Sequence, residues 1–190
     1  MITLASEQLR FDTGRVCLDL LATVGSRLSE HPVERLNGPD RLHAWFTGTG
    51  LLPADQPIAI GPDWFAQVDR VRTLLHRIVQ DTVHGRTVPV SRVRALNELA
   101  GQTPPIPRLR TDARTVRLRE PVTLAGLLSL VARDAIELLS GSERQYLREC
   151  AGGDCDLVYL DHSRGRRRRW CSSRVCGNRE RVANYRERLG

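Results

Sequence analysis

The sequence contains no lysine: all 29 positions counted as Lys+Arg are arginine. Codon bias in a GC-rich genome explains this more simply than selection for guanidinium chemistry. The consequence is physical either way, because arginine stays charged, forks bidentately onto phosphates or guanine edges, and stacks on bases. Aromatic residues are also scarce, with three Trp, three Tyr and three Phe among 190 residues. No apolar run approaches the roughly 20 residues that a membrane helix needs. The opening Met1-Ile-Thr-Leu-Ala-Ser-Glu-Gln-Leu-Arg10 lacks the basic and apolar regions of a secretory leader. The expectation is a cytoplasmic protein with no membrane partner. No P-loop, GxGxxG, GxSxG or HExxH pattern occurs, so no enzymatic activity is expected.

What the chain does have is two matched cysteine pairs, Cys150-Ala-Gly-Gly-Asp-Cys155 and Cys171-Ser-Ser-Arg-Val-Cys176. Each pair can be presented by one short loop, and the fifteen residues between them are enough to leave as a strand and return. Tetrahedral zinc takes four such ligands at about 2.3 Å. Two disulfides, an iron–sulfur cluster and a redox switch are the competing readings. In a reducing compartment clustered cysteines favour metal, and one structural Zn²⁺ is expected on Cys150, Cys155, Cys171 and Cys176. Such a closed site leaves no position for a reactive water, which again argues against catalysis. Cys17, in an apolar run, is expected in the core. His162 is expected at a turn.

The charge is uneven. Residues 141–190 hold twelve arginines against seven carboxylates, whereas residues 1–140 hold seventeen against fifteen. Four thiolates around Zn²⁺ leave a formal −2, so part of the arginine excess can serve the metal. The run Arg166, Arg167, Arg168 and Arg169, with Arg164 before it, is a candidate phosphate anchor.

Periodicity indicates an α+β, mainly α protein. A helix is expected over Val16–Val24, capped by Asp12 or Thr13. Asp40 is expected to cap a short helix carrying Leu42, Trp45 and Phe46, and Pro62-Asp63 to open a long one ending at Gly85. Ser91 is expected to cap a further helix. Three prolines within residues 102–108 exclude helix there, and Arg108–Arg119 alternates as a hairpin with one face on the helices. A helix over Val122–Leu139 follows, and then a short one from Ser142 that delivers Cys150. The tail is expected to be a ββα unit, with strands at Leu157–Leu160 and Arg167–Trp170 and a helix over Cys176–Arg188. On that helix Val182, Tyr185 and Leu189 are expected to pack on the strands. Arg181, Asn184 and Arg188 share another face, which is either a groove-reading face or a plain solvent face. The division expected is a helical domain over 1–141 and a zinc finger over 142–190.

Cys150-x4-Cys155, Val158-Tyr-Leu-Asp161-His-Ser163-Arg164, Arg169-Trp170-Cys171-Ser172 and Cys176-Gly177-Asn178-Arg179 together resemble the CGNR zinc finger, a treble-clef-like four-cysteine module. Its relatives carry an N-terminal helical ABATE domain, whose Leu-Asp-Phe-Val-Asn-Thr pattern is similar to Leu18-Asp19-Leu20-Leu21-Ala22-Thr23 here, without the Asn. The resemblance implies a bacterial, stress-related transcription regulator that binds DNA through its finger. Within the motif Trp170 is expected to cover the metal site, and Gly177 to allow close backbone approach or an unusual φ. Asn178 is expected to brace the knuckle, and Arg179 to pair with Asp161 or the thiolates. The helical domain would sense a small effector or hold a protein partner, and a homodimer is compatible with this. The alternative is a zinc-stapled interaction or ligand-sensing module that does not bind DNA.

Overall fold

The structure, a computed structural model, describes residues 8–188. The chain forms two compact units, one of residues 36–140 and one in which residues 1–35 join residues 141–190. Packing thus has one boundary at 140/141, a residue before the expected one, and a second at 35/36, because the N-terminal segment groups with the cysteines.

The continuous unit is built from helices α2 (Pro39–Gly48), α3 (Trp64–Val83), α4 (Val90–Ala100) and α5 (Leu124–Ser140). The expected helical stripes become its core. Leu42, Trp45 and Phe46 of α2, Val68, Val71, Leu75, Ile78 and Val79 of α3, and Leu124, Leu127, Leu128, Val131, Ala135 and Leu138 of α5 are all buried. Helices α3, α4 and α5 pack against one another, and Trp64 meets Phe46 edge-on at 6.3 Å. The caps differ in detail. Pro39 occupies the first turn of α2 after Gly38, with Asp40 inside that turn, and Pro89 rather than Ser91 precedes α4. Both prolines suit helix starts, where a missing N–H costs nothing.

The hairpin pairs β3 (Pro107–Leu109) with β4 (Val116–Leu118). Only its base enters the core. Leu118 is buried, while Leu109 and Val116 are exposed. The Gln56 side chain fastens that base by donating to the Leu118 carbonyl at 2.9 Å and accepting its N–H at 2.7 Å.

The second unit contains α1 (Val16–Leu21), a short ladder of β1 (Val24–Gly25) with β2 (Val33–Glu34), a 3₁₀ turn (Ser142–Tyr146), β5 (Leu147–Glu149), β6 (Val158–Leu160) and α6 (Cys176–Glu187). Neither Asp12 nor Thr13 caps α1. The bond runs the other way, with Asp19 accepting the N–H and hydroxyl of Thr13 at 3.1 and 2.7 Å. Helix α1 packs on β6, and the Leu160 N–H donates to the Thr13 carbonyl at 2.8 Å. Gly14 makes this approach possible. Its φ is +101°, and a Cβ there would fall 2.9 Å from Leu160 Cβ, which only glycine avoids.

Two expectations for the tail are corrected. Cys150 is delivered by strand β5, not by a helix, and the partner of β6 is β5 rather than residues 167–170. Asp161 explains the second difference. It accepts the Ser163 N–H and hydroxyl and the Arg168 N–H, so residues 161–168 close as a loop held by a side chain. Burial is the largest single influence on the Asp161 carboxyl and pushes it up, but these donors together with Arg148 outweigh it and hold the group below its usual value.

Candidate metal centre and nucleic-acid surface

The first cysteine pair occupies the connection between β5 and β6. The Cys150 N–H bonds the Leu157 carbonyl at 2.9 Å, and the Cys155 N–H returns to the Gly152 carbonyl at 3.0 Å. The second pair spans the entry to α6, where Cys176 is the first helical residue. The Gly177 N–H donates to the Ser172 carbonyl at 2.9 Å. Its φ is ordinary, so the expected unusual backbone is not found at Gly177. A Cβ would meet the Trp170 ring at 3.4 Å, which places that half-buried indole against the helix start. Arg169 stacks over the same ring at 5.1 Å.

The four sulfurs lie within 4.8 Å of one another, and all four cysteines are buried. Cys155 Sγ is 3.8 Å from Cys171 Sγ, which is 3.5 Å from Cys176 Sγ. A tetrahedron with metal–sulfur bonds of about 2.3 Å has sulfur–sulfur edges of about 3.8 Å. The residues therefore fit one zinc ion, and donors to sulfur are already in place. The Cys171 N–H points at Cys150 Sγ (3.3 Å) and Arg10 Nη1 at Cys171 Sγ (3.2 Å). Outer hydrogen bonds of this kind orient and stabilise thiolate ligands. Hydrogen bonds from Cys150, Cys155 and Cys176 pull the Cys171 thiol well below its ordinary value; burial opposes this and Arg10 assists it. Hydrogen bonding with Cys155 leads the effects that bring Cys150 down to about 7. Cys17 is buried apart from this cluster. His162 is exposed and faces Glu143 at 3.5 Å.

A family comparison matches residues 14–142 to ABATE, described as "Putative stress-induced transcription regulator", and residues 146–189 to the CGNR zinc finger. The chain belongs to the ABATE family. No curated protein matches it. The CGNR match and the four-sulfur geometry converge on the same residues, so the centre is able to hold one zinc ion.

The arginines around the CGNR centre separate into two groups. Arg168 turns inward, with Nε donating to the Trp170 carbonyl at 2.9 Å, Nη2 to the Cys171 carbonyl, and the guanidinium 4.4 Å over Tyr159. Arg179 pairs with Asp154 at 3.2 Å and Ser26 Oγ at 3.1 Å, not with Asp161. The other members of the run face outward. Arg164, Arg166, Arg167 and Arg169 are exposed, with Arg166 stacked 4.0 Å over Tyr146. Asn178 is exposed rather than set against the knuckle.

Helix α6 departs from expectation. Val182 and Tyr185 are 41% and 65% exposed, so they do not pack on the strands. Leu189 lies outside the described residues. Arg181, Asn184 and Arg188 are exposed as well, with Arg181 reaching the Ser173 carbonyl at 3.3 Å. Heptad-like spacing identifies a stripe but not what lies opposite it. Sequence reasoning also missed Arg10 and Arg35, because single arginines among 29 carry no local signal of distant contacts. Exposed Arg174 was visible in the sequence beside Cys171 and belongs with the outward group.

Proposed function

We propose that this protein is a cytoplasmic, non-enzymatic regulator that binds duplex DNA through its zinc unit. Helix α6 would enter or flank a groove, and the outward arginines would anchor on phosphates. The observation that carries this reading is the bareness of α6. From Arg181 to Arg186 every residue is exposed, although the helix start is fixed by Cys176, Gly177 and Trp170. A rigidly anchored helix with a free polar surface suits groove docking, where Arg reads guanine and Asn reads adenine. Arg164, Arg166, Arg167, Arg169 and Arg174 lie on the segment leading into it and supply the sequence-independent attraction. The continuous helical unit would receive an effector or protein partner, and a homodimer would present two such helices.

Duplex binding measured across a salt series tests this. Affinity should fall with a log–log slope of about −0.9 for each phosphate neutralised. Replacing Arg164, Arg166, Arg167 and Arg169 with alanine should weaken all duplexes alike and flatten the slope. Replacing Asn184 or Arg188 should cost about 1–3 kcal/mol on a preferred site and relax discrimination. Arg168→Ala should instead loosen the metal loop. Zinc-loaded protein without duplex affinity at low salt would reject DNA binding. Exposed Val182 and Tyr185 would then favour the interaction-module reading, in which α6 docks on another protein.

A further inference from the structure

A zinc ion with four thiolates carries a formal −2, and burying charge without a partner is costly. Arg168 and Arg179 of the finger lie near that charge, and two further cations that are more deeply buried come from outside the finger sequence. Arg10, whose side chain is 12% exposed, donates from Nη1 to Cys171 Sγ at 3.2 Å and from Nη2 to the Cys171 carbonyl at 2.5 Å. Its Nε is held by Asp12 at 2.9 Å, which aims the fork at the cysteine. Arg35 is 6% exposed, donates to the Ala22 carbonyl at 2.8 Å, and lines a small enclosed cavity together with Arg10, Cys155, Cys171 and Cys176. Gly25 makes room for it, since a Cβ there would lie 2.4 Å from Arg35 Nη2. Burial is the main influence on Arg35 and the positive Arg10 adds to it, whereas Cys171 and Cys155 act in its favour.

We propose that Arg10, supported by Arg35, is the counter-charge that sets how tightly the centre retains zinc. The metal site is then bipartite, with ligands from residues 150–176 and charge partners from residues 8–35. Arg10 is a positioning residue: it touches a ligand and not the metal. Removing its charge weakens the metal and leaves the four ligands unchanged. Binding linkage is reciprocal, so whatever factor the segment adds to zinc affinity, zinc adds to docking of the segment. Loss of the metal therefore weakens docking of residues 8–35 on the finger by that same factor. This coupling does not depend on whether the protein binds DNA.

The test uses full-length, zinc-loaded protein titrated with a chromophoric chelator. Arg10→Gln should lower zinc affinity about 10–100-fold, the range typical of outer-sphere partners. Arg10→Lys, which keeps the charge but not the fork, should fall between Arg10→Gln and the parent. Arg119→Gln, at an exposed position in the other unit, should leave affinity unchanged. A folded Arg10→Gln protein with parental zinc affinity overturns the proposal. Hydrogen exchange of the unaltered protein decides independently if the variants fail to fold. Amides of residues 16–35 should be protected with zinc and lose protection on chelation, and protection that persists without zinc overturns the proposal.

Discussion

The two units bury side chains of different character. Residues 36–140 enclose Trp45, Phe46, Leu75, Ile78, Leu127 and Leu138, all at most 2% exposed, with Gln56, Arg72 and Ser129 as their buried polar side chains. The zinc unit has an apolar layer too, with Leu18, Leu20, Leu21 and Tyr159. It adds four thiols, Asp19, Asp161 and Arg35 to its interior, and its loops are closed by arginine forks on carbonyls. A core of leucines is stable wherever it forms. A core of charges holds only while each partner is present. The helical unit should therefore tolerate changes in metal and pH that dismantle its neighbour.

The sharpest test of that contrast is zinc removal. Structural zinc contributes on the order of 10 kcal/mol to small units whose folding it drives. Chelation, or Cys176→Ser, should therefore unfold the zinc unit while most helical circular dichroism survives. Simultaneous loss of both signals would break the comparison. Trp45→Ala probes the opposite side and should destabilise the helical unit by about 3–5 kcal/mol. Its zinc content should be unchanged, as read by metal analysis beside a denaturant melt. Gly14→Ala is smaller, at about 1–3 kcal/mol, because it combines an unfavourable φ with a collision at Leu160. Although residue 14 is far from the cysteines in sequence, its effect should appear in the zinc-dependent transition.

The smallest effect concerns pH. Burial is the main cause that raises the Asp19 carboxyl to about 6, while its hydrogen bonds from Thr13 act in the opposite direction. The folded state thus holds a proton that the unfolded chain has released. The Asp19 contribution to stability is present below about pH 4 and is lost as pH rises towards 6. Asp19→Asn keeps an oxygen acceptor and removes the charge. Relative to the parent it should gain about 1–2 kcal/mol by pH 7 and nothing at pH 4. A constant difference across that range would show that Asp19 does not titrate there.

Much of this architecture was legible in the sequence. Helical spacing located α3 and α5 because their buried stripes recur every three or four residues, and cysteine spacing located the metal centre because ligand geometry is local. The strand pairing was less accessible. Arg167–Trp170 has the look of a returning strand, but the pull of Asp161 on the Arg168 N–H is invisible without coordinates. The packing of Val182 and Tyr185 was less accessible too, since a stripe needs a partner surface and these two side chains are left exposed. The role of Arg10 was hidden by its offset of 161 positions from Cys171.

The discontinuity of the zinc unit also orders events during synthesis. Residues 8–35 leave the ribosome before residue 141, at least 106 positions ahead. At about 5–20 residues per second they wait roughly 5–20 s for the strands and thiols that bury them. The helical unit is itself made during that interval and is complete before residue 141 appears. Leu18, Leu20 and Leu21 meanwhile remain uncovered by β6, and Arg10 has no thiolate to meet. The nascent chain is thus most vulnerable in this earlier segment. The zinc unit then closes as residues 141–190, the metal and residues 8–35 come together.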